Sequence, residues 1–369
     1  HISDCFAPRT GGIETQVGDL AATQAAAGDD VHVFTATPGR VQGWVENWRG
    51  VRIHRMDARL LGVPINPLAP PRMTRTLQEL APDVVHVHAG VVSPFAYDGA
   101  RVVRQLGLPL VVTWHCMLDG WTSLLRQGVR KLGWHQTPMV LSAVSRVAAD
   151  RVQAVFEKDV FVLPNAIDVA AWAPTAPKAP QQPLAVVATM RLAPRKRGVA
   201  LIEVFREAVA ATGPEAMRLT VIGVGPDGVR MVAAARRAGI ADLVRFTGRL
   251  SHDVVRAVYA QQHVFMAPAK LEAFGIAALE ARAAGLVVIG RTGNGLAEFV
   301  TDGVDGFLAD DDEGMVRALV RLTSAAGEPS PELRAMLAHT SSVQPELDWA
   351  HAYETARALY KRARAAECS

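Results

Sequence analysis

The stretch "HVFMAPAKLEAFGIAALEARAAGLVVIG", residues 263–290, carries the fold in miniature. "HVFMAPA" (263–269) is an apolar run of strand length, and "KLEAFG" (270–275) is a loop. A helix is predicted from about Gly275 to Ala284, stopping at Gly285 before a second short apolar run, "LVVIG" (286–290). Two buried strands joined by a helix are the unit of a parallel sheet with helices on its faces. Glu272 stands on the loop and Glu280 inside the helix, eight positions apart with no polar side chain between them.

Working outward, the same alternation fills the chain. "DVHVFTA" (30–36), "VRIHRM" (51–56), "DVVHVHA" (83–89), "PLVVTWH" (109–115) and "MVLSAVS" (139–145) are predicted strands, and "ETQVGDLAATQAAAG" (14–28) a helix ending at Gly28. The Pro- and Ala-rich "APTAPKAPQQP" (173–183) has no periodicity and reads as a linker. Beyond it the pattern restarts with "LAVVATM" (184–190), "RLTVIG" (218–223) and "VRFTG" (244–248). The expectation is an α/β chain of two Rossmann-like domains: 1–172, the linker 173–183, 184–345, and a final helix over 346–369 that returns to the first domain. "HISDCFAP" resembles the end of a first strand, so residues are expected to precede His1.

Composition narrows the function classes. A length of 369 residues suggests two domains. A net charge of +3 gives no argument for nucleic acid. Cys5, Cys116 and Cys368 lie far apart, without the spacing of a disulfide framework or a zinc ribbon, which fits a reducing, cytoplasmic setting. No apolar run has the length of a membrane span, and no signal peptide is visible.

The candidate site starts at the helix of the opening stretch. Phe274, Gly275 and Ile276 lie at its N-terminus, where free N–H groups and the helix dipole favour an anion such as a diphosphate. A carboxylate on either side suits hydroxyl groups, ribose on one side and a sugar on the other; a surface Glu followed by a helix-face Glu is the plainer alternative. "RLAPRK" puts Arg191 and Lys196 at a strand-to-loop turn, two cations suited to a diphosphate or, alternatively, a solvated basic loop. "APRTGGIET" puts Gly11 and Gly12 between strand and helix, as a backbone nest that could approach a phosphate.

These segments resemble the retaining glycosyltransferases of family 4, of the GT-B fold, over nearly the whole chain. The resemblance rests on "GGIET" (11–15), "VVHVHA" (84–89), "TWH" (113–115), "AVSR" (143–146), "LPNAID" (163–168), "RLAPRK" (191–196), "IGVGP" (222–226), "FTGRLS" (246–251), "EAFGIAALE" (272–280) and "GVDGFL" (303–308). It implies two Rossmann-like domains facing each other across a cleft, and transfer of a hexose-type sugar from a nucleoside diphosphate sugar. By matching motif, Glu280 is implied to hold ribose and Glu272 the donor sugar, while Arg191 and Lys196 neutralise the diphosphate. Backbone N–H groups of Phe274, Gly275 and Ile276 are implied to help place sugar and phosphate. Arg249 is implied to flank the base, Gly11 and Gly12 to face the diphosphate, and His115 to meet the donor sugar; a satisfied interior histidine is the plainer reading of His115. Two departures stand out: Ala166 in "PNAID" and Met190 before Arg191, each where the family usually has Gly.

The resemblance further implies a metal-independent reaction, with the nucleotide sugar as substrate rather than cofactor. Of UDP and GDP, UDP is favoured. The acceptor, a glycan, a lipid-linked molecule or a small molecule, is not legible, and neither is oligomeric state. A nucleotide-sugar epimerase and a non-catalytic sugar-nucleotide binding protein are the competing classes; Arg191, Lys196 and the two glutamates together favour transfer. His86 and His88 alternate on a strand and are read as packing and hydrogen-bonding groups rather than metal ligands. "ADDDEG" (309–314) is read as a solvated helix start. "MLDGWTSLLRQGVRKLGWHQ" (117–136) has Leu125, Val129 and Leu132 at helical spacing, with Arg126, Arg130 and Lys131 between and Trp121 and Trp134 at the ends. It reads either as an apolar stripe packed on the sheet with cations in solvent, or as a peripheral contact at the inner face of a membrane.

Overall fold

Strands and helices alternate through the computed structural model, which describes residues 1–9, 11–39, 45–57, 68–120, 122–323 and 328–367. They segregate into two units, His1–Ala166 with Leu347–Ser369, and Ile167–Glu346.

The first unit holds β1 (Ile2–Ser3), β2 (His32–Thr35), β3 (Val45–Trp48), β4 (Val51–Arg55), β5 (Val85–Ala89), β6 (Leu110–Trp114), β7 (Val140–Ala143) and β8 (Val160–Val162). They form one sheet in the order β3-β4-β2-β1-β5-β6-β7-β8. β3 pairs antiparallel with β4; the remaining neighbours are parallel. Every residue of β5, β6 and β7 is buried, as in a parallel sheet covered on both faces, and the polar ones, His86, His88, Thr113 and Ser142, are hydrogen-bonded to other side chains. The order reverses direction between β1 and β5, the place where open α/β sheets hold ligands at their carboxyl ends. Asp4, just past β1, uses its carboxylate as an N-terminal cap, accepting from the N–H groups of Phe95 and Ala96 at 3.0 Å each. In "AVSR", Ser145 caps the helix Arg146–Phe156 through the N–H of Ala148.

The helix Trp349–Glu367 belongs to this first unit. Ala356, Leu359 and Ala363 on its inner face are buried with Leu20, Val111, Val140 and Leu163. Each fully buried leucine there is worth roughly 2 kcal/mol, enough to dock the helix whatever its charged face does.

The second unit holds β9 (Leu184–Thr189), β10 (Met217–Ile222), β11 (Val244–Gly248), β12 (Val264–Ala267), β13 (Val287–Arg291) and β14 (Gly306–Ala309), all parallel, in the order β11-β10-β9-β12-β13-β14. The chain builds outward from β9 to β11, then crosses to β12 on the other side of β9. The topological switch therefore falls between β9 and β12. The loops that leave these two strands are the ones bearing Arg191 and Lys196, and Glu272.

The chain passes from the first unit to the second at Ala166–Ile167 and back at Glu346–Leu347. The 173–183 segment, expected as the interdomain linker, lies within the second unit and is tied to it. The Lys178 ammonium donates to the carbonyls of Tyr259 and Ala260 at 2.7 and 2.9 Å, at the C-terminal end of the helix His252–Ala260, and the Lys178 N–H donates to Ser341 Oγ. A cation on terminal helix carbonyls satisfies orphan acceptors, and burial pulls its pKa down to about 8. Composition alone does not show such an anchor.

Strands β3, β8 and β14 were not among the predicted runs. β3, "VENW", buries neither face and so lacks the apolar alternation of a strand. Most of "RLLGVPINPLAPP" (59–71), and part of "GWVENWRG" (43–50), lie outside the described residues. Among the described residues no helix is long and apolar enough to cross a membrane.

Candidate active site

At the switch between β9 and β12, Lys196 Nζ donates to the carboxylate of Glu272, each side chain 22% exposed. Two elements 76 residues apart in sequence thus put a cation and a carboxylate in one place. The loop after β9 is knitted to the loop after β10: Leu192 N–H donates to Val224 O at 3.0 Å, and Asp227 N–H to Leu192 O at 2.9 Å. Gly223 has φ +136°, and a Cβ on it would lie 1.9 Å from Met190 O, so the two backbones approach too closely for any side chain. That is the physical content of "IGVGP".

Arg197 follows Lys196 in the left-handed region, φ 55°. Its guanidinium forks onto Asp312 at 2.8 and 2.7 Å and reaches Pro268 O at 3.2 Å; Arg291, at the end of β13, also donates to Asp312 at 2.9 Å. Asp312 therefore ties the loop leaving β9 to the end of β13, Arg197 adds the loop leaving β12, and the Arg197 hydrogen bonds hold the Asp312 carboxyl below the usual carboxylate range. "ADDDEG" is consequently more than the solvated helix start the sequence suggested. Asp311 caps the helix Asp312–Arg321 through Gly314 N–H, Asp310 accepts from Thr292, and Asp312 braces the cationic loop. A pair with a distant arginine leaves no local signature.

The helix after Glu272 spans Ile276–Ala283, within a residue of its predicted limits. Gly275 caps it at φ +96°, a conformation in which a Cβ would meet Leu296 Cδ2 at 2.8 Å. Ala278 and Leu279 both donate to Gly275 O. Among the described residues the N–H groups of Gly275, Ile276 and Ala277 have no protein acceptor, so they are open to an anion. Gly295 N–H donates to Glu272 O at 2.8 Å, and Asn294, 3% exposed, accepts from Leu296 N–H; together they brace the loop bearing Glu272. The Phe274 side chain is 2% exposed, in the core beside Phe299, so only its backbone can serve a ligand.

Glu280 is 9% exposed, and among the described residues nothing hydrogen-bonds its carboxylate. Burial pushes its pKa up to about 8. A buried carboxyl without a donor is costly and marks a place where a ligand supplies donors. Arg191, after β9, and Arg249, after β11, are exposed and likewise without a partner among the described residues.

In the first unit, Gly11 is the N-cap of the helix Gly12–Ala26 at φ −178°, and neither Gly11 nor Gly12 has positive φ. The alternating-handed nest expected from the glycine pair is therefore absent here; the N–H groups available are those of a helix N-terminus. Glu14, paired with Arg9 at 3.0 Å, lies so close that a Cβ on Gly11 would meet its carboxylate at 2.4 Å. Gln16 in the same helix, which sequence reading passed over, clamps Ala166: its amide donates to Ala166 O at 2.8 Å and accepts from Ala166 N–H at 2.9 Å.

His115 follows β6, its backbone N–H on Ala89 O at 2.9 Å and its Nε2 3.0 Å from Nδ1 of His88. Burial lowers its pKa to about 4, so its ring is neutral at pH 7. With His88, Gln16, Thr113 and Asn165 it borders a small cavity of about 20 Å³. His1, His86 and His88 present ring nitrogens within 4.8 Å of one another. His1 and His88 are hydrogen-bonded to each other, while His86 bonds Tyr360 and Thr113, so a cation there would have to break existing hydrogen bonds.

In the segment after His115, the helix is Thr122–Lys131, and Trp121 lies outside the described residues. Leu125, Val129 and Trp134 pack on the core of the first unit. Arg126 and Arg130 do not face solvent freely: Arg126 donates to Ala154 O, and Arg130 forks onto Glu157 at 2.8 and 2.7 Å. Leu132 is 65% exposed rather than packed, with Leu124 at 58%.

The family model described as Glycosyltransferase Family 4 matches residues 10–171, and that described as Glycosyl transferases group 1 matches residues 174–338. The chain is 27% identical, over 90% of its length and 75% of the relative's, to a phosphatidylinositol N-acetylglucosaminyltransferase subunit of Arabidopsis thaliana. It is 26% identical, over 81% of both chains, to a GDP-mannose-dependent monoacylated alpha-(1-6)-phosphatidylinositol monomannoside mannosyltransferase of Corynebacterium glutamicum. Among solved structures, Anabaena HepE in complex with UDP-glucose superposes with a TM-score of 0.74 over 98% of this chain and 99% of that one, at 17% identity.

Proposed function

The chain belongs to glycosyltransferase family 4, its second half being of the glycosyl transferases group 1 kind, and from that premise we propose that it moves a hexose-type sugar from a UDP- or GDP-sugar to an acceptor hydroxyl. It is a nucleotide-sugar-dependent transferase of a retaining family with the GT-B fold. The observation that carries the proposal is the meeting of Lys196 and Glu272 at the β9–β12 switch, beside a helix start with free N–H groups. On this reading Arg191, Lys196 and the N–H groups of Phe274, Gly275 and Ile276 take the diphosphate. Glu280 takes the ribose hydroxyls, Glu272 the sugar hydroxyls, and Arg249 flanks the base. Gly11, Gly12 and His115 serve the donor from the first unit.

The chemistry follows from where charge develops. Departure of the nucleoside diphosphate leaves an oxocarbenium-like sugar, and the negative charge gathers on the leaving phosphate. Fixed cations and helix N–H groups aimed there stabilise that charge without reorganising. The departing phosphate oxygen accepts the proton of the acceptor hydroxyl as the new glycosidic bond forms on the same face. Glu272 orients the sugar and forms no covalent bond. Incubation with a labelled nucleotide sugar and candidate acceptors tests the reading: acceptor-dependent release of nucleoside diphosphate supports transfer, whereas sugar interconversion or bare binding refutes it.

Glu272→Ala separates sugar from nucleotide. It removes the sugar contact and frees Lys196 for phosphate, so nucleoside diphosphate affinity is expected to stay level or rise slightly while turnover falls. Calorimetry showing lost nucleoside diphosphate binding with intact turnover would mean that Glu272 and Glu280 have been assigned each other's roles.

For the acceptor, the exposed Leu124, Lys131 and Leu132 form an apolar and basic edge on the helix that follows His115. The two curated relatives described above are named for phosphatidylinositol-based molecules. Both facts favour a lipid-borne acceptor met at an anionic membrane surface. Wild-type protein is expected to co-sediment with anionic vesicles at low salt, and Leu124→Ser with Leu132→Ser to remain in the supernatant. Wild-type protein that never sediments ends this reading. The arginines are poor sites for the test, because Arg126 and Arg130 hold the helix to its neighbour.

A further inference from the structure

A continuous hydrogen-bonded chain of buried and half-buried side chains links His115 to the C-terminal helix. Gln24 sits at its branch point. One arm runs from Gln24 Oε1 to His1 Nε2 at 2.6 Å, from His1 Nδ1 to His88 Nε2 at 2.9 Å, and from His88 Nδ1 to His115 Nε2 at 3.0 Å. The other runs from Gln24 Nε2 to the Tyr360 hydroxyl at 2.9 Å, and on to His86 Nδ1 at 2.9 Å. It continues from His86 Nε2 to Thr113 Oγ1 and from there to Ser142 Oγ, each at 2.6 Å. Gln24, His86, His88, Thr113 and Ser142 are each at most 3% exposed.

With the Gln24 amide oriented as in the structure and every imidazole neutral, donor and acceptor counting fixes each proton. An amide nitrogen only donates and an amide oxygen only accepts, while a neutral imidazole has one nitrogen of each kind. Gln24 donates to Tyr360, so the single Tyr360 proton goes to His86 Nδ1, and His86 donates through Nε2 to Thr113. On the other arm Gln24 Oε1 needs a donor, so His1 carries its proton on Nε2. His1 Nδ1 then accepts from His88 Nε2, and His88 Nδ1 accepts from His115 Nε2. Turning the Gln24 amide over would reverse every donor in both arms together, since no member can change alone. Burial lowers the pKa values of His86, His88 and His115, in keeping with the neutral rings this count requires. Tyr360, in the other arm, is pushed upward by burial and stays a phenol.

We infer that Gln24, His1, His88 and Tyr360 are positioning residues that hold His115 as its Nε2–H tautomer, leaving Nδ1 as a hydrogen-bond acceptor for a hydroxyl of the donor sugar. The fixing of the tautomer rests on the chain of hydrogen bonds and on the orientation of the Gln24 amide within it; its use rests on the reading that His115 meets the donor. Tyr360, 245 positions after His115, thereby reaches the site without touching substrate.

Imidazole nitrogen NMR of the whole protein, with His115 assigned through its absence in His115→Gln, reads the tautomer directly. Wild type is expected to show His115 protonated on Nε2 alone. Tyr360→Phe removes the hydroxyl that couples the Gln24 amide to the His86 arm and is expected to give a mixture of tautomers. Gln24→Glu in that background restores an acceptor-only partner for His1 and is expected to restore the single tautomer. The donor KM is expected to rise about three- to tenfold in Tyr360→Phe, the scale of one neutral hydrogen bond, and to return in the double variant with little change in kcat. A wild-type His115 protonated on Nδ1, or a tautomer unmoved by Tyr360→Phe, overturns the inference. Tautomers that shift as expected while the donor KM does not move overturn instead the reading that His115 meets the donor.

Discussion

Alanine at Arg191 or at Lys196 is expected to lower turnover about a hundredfold or more, the scale of removing one preorganised charge partner from a transition state. The negative charge of the reaction grows on the departing diphosphate, and these two side chains are the proposed cations for it. They differ in the free protein. Arg191 is exposed and has no partner among the described residues, whereas Lys196 is held by Glu272. Lys196→Ala therefore also leaves the Glu272 carboxylate next to an anionic ligand with nothing to offset it, and is expected to weaken nucleoside diphosphate binding more than Arg191→Ala does. Neither substitution should cost the fold, because the loop is held by Leu192 in the core, by its backbone bonds to residues 224–227 and by the Arg197–Asp312 fork. Thermal melts within a few degrees of wild type, together with steady-state turnover, make the comparison. Near-normal turnover in either variant would sink its assignment to the phosphate.

The second large effect is at Glu280, and it has two opposite signs. In the folded chain this carboxyl has its pKa raised to about 8, from an ordinary value of 4.5. Below about pH 4.5 it is protonated folded and unfolded alike, and its burial carries no penalty of charge. Between about 4.5 and 8 the unfolded chain ionises while the folded one keeps its proton, so stability falls as pH rises, and above 8 the loss is complete. The span corresponds to about 4–5 kcal/mol. Glu280→Gln removes it and is expected to raise the melting temperature, most of all above pH 8, where wild type bears the full penalty. Nucleotide binding should move the other way. Ribose hydroxyls donate to a carboxylate, so binding is expected to expel close to one proton at pH 7, visible as calorimetric heats that depend on the buffer. In Glu280→Gln that proton release disappears and affinity for a plain nucleoside diphosphate drops tenfold or more, the scale of losing charge-assisted hydrogen bonds. A variant that melts at the wild-type temperature at pH 9 and binds nucleoside diphosphate equally well would refute both halves.

How far the sequence carried these conclusions depended on the range of the interaction concerned. Buried parallel strands are apolar along their whole length, so most of β2 to β13 stood out as runs, and β9 and β12 with their loops were placed to within a few residues. "EAFGIAALE" was legible for the same reason: loop, cap and helix are set by neighbours in the chain. Edge and short strands were not, since β3 has no buried face to pattern. The groups that brace the site were the least visible. Asp312 holds Arg197 from 115 positions away, and Gln24 meets Tyr360 across 336. A single sequence contains no local trace of such pairs. Gln16 and Asn294 were passed over because a buried amide looks like any surface polar residue until its partners are seen. The segment 173–183 has the composition of a linker, and composition does not show the one lysine that holds it to two carbonyls.

The return of Trp349–Glu367 to the first unit sets an order of events during synthesis. Residues 1–166 leave the ribosome first but lack the helix that covers Val111, Val140 and Leu163. The second unit, an uninterrupted 180 residues from Ile167 to Glu346, has all its strands in hand and can fold while the first waits. At roughly 5–20 residues per second that wait lasts on the order of 10–40 s, with an apolar strip of the first unit's sheet uncovered and the Gln24–Tyr360 contact unmade. A chain that ends short of residue 349 lacks the cover for Val111, Val140 and Leu163, and that strip of its first unit is open to aggregation.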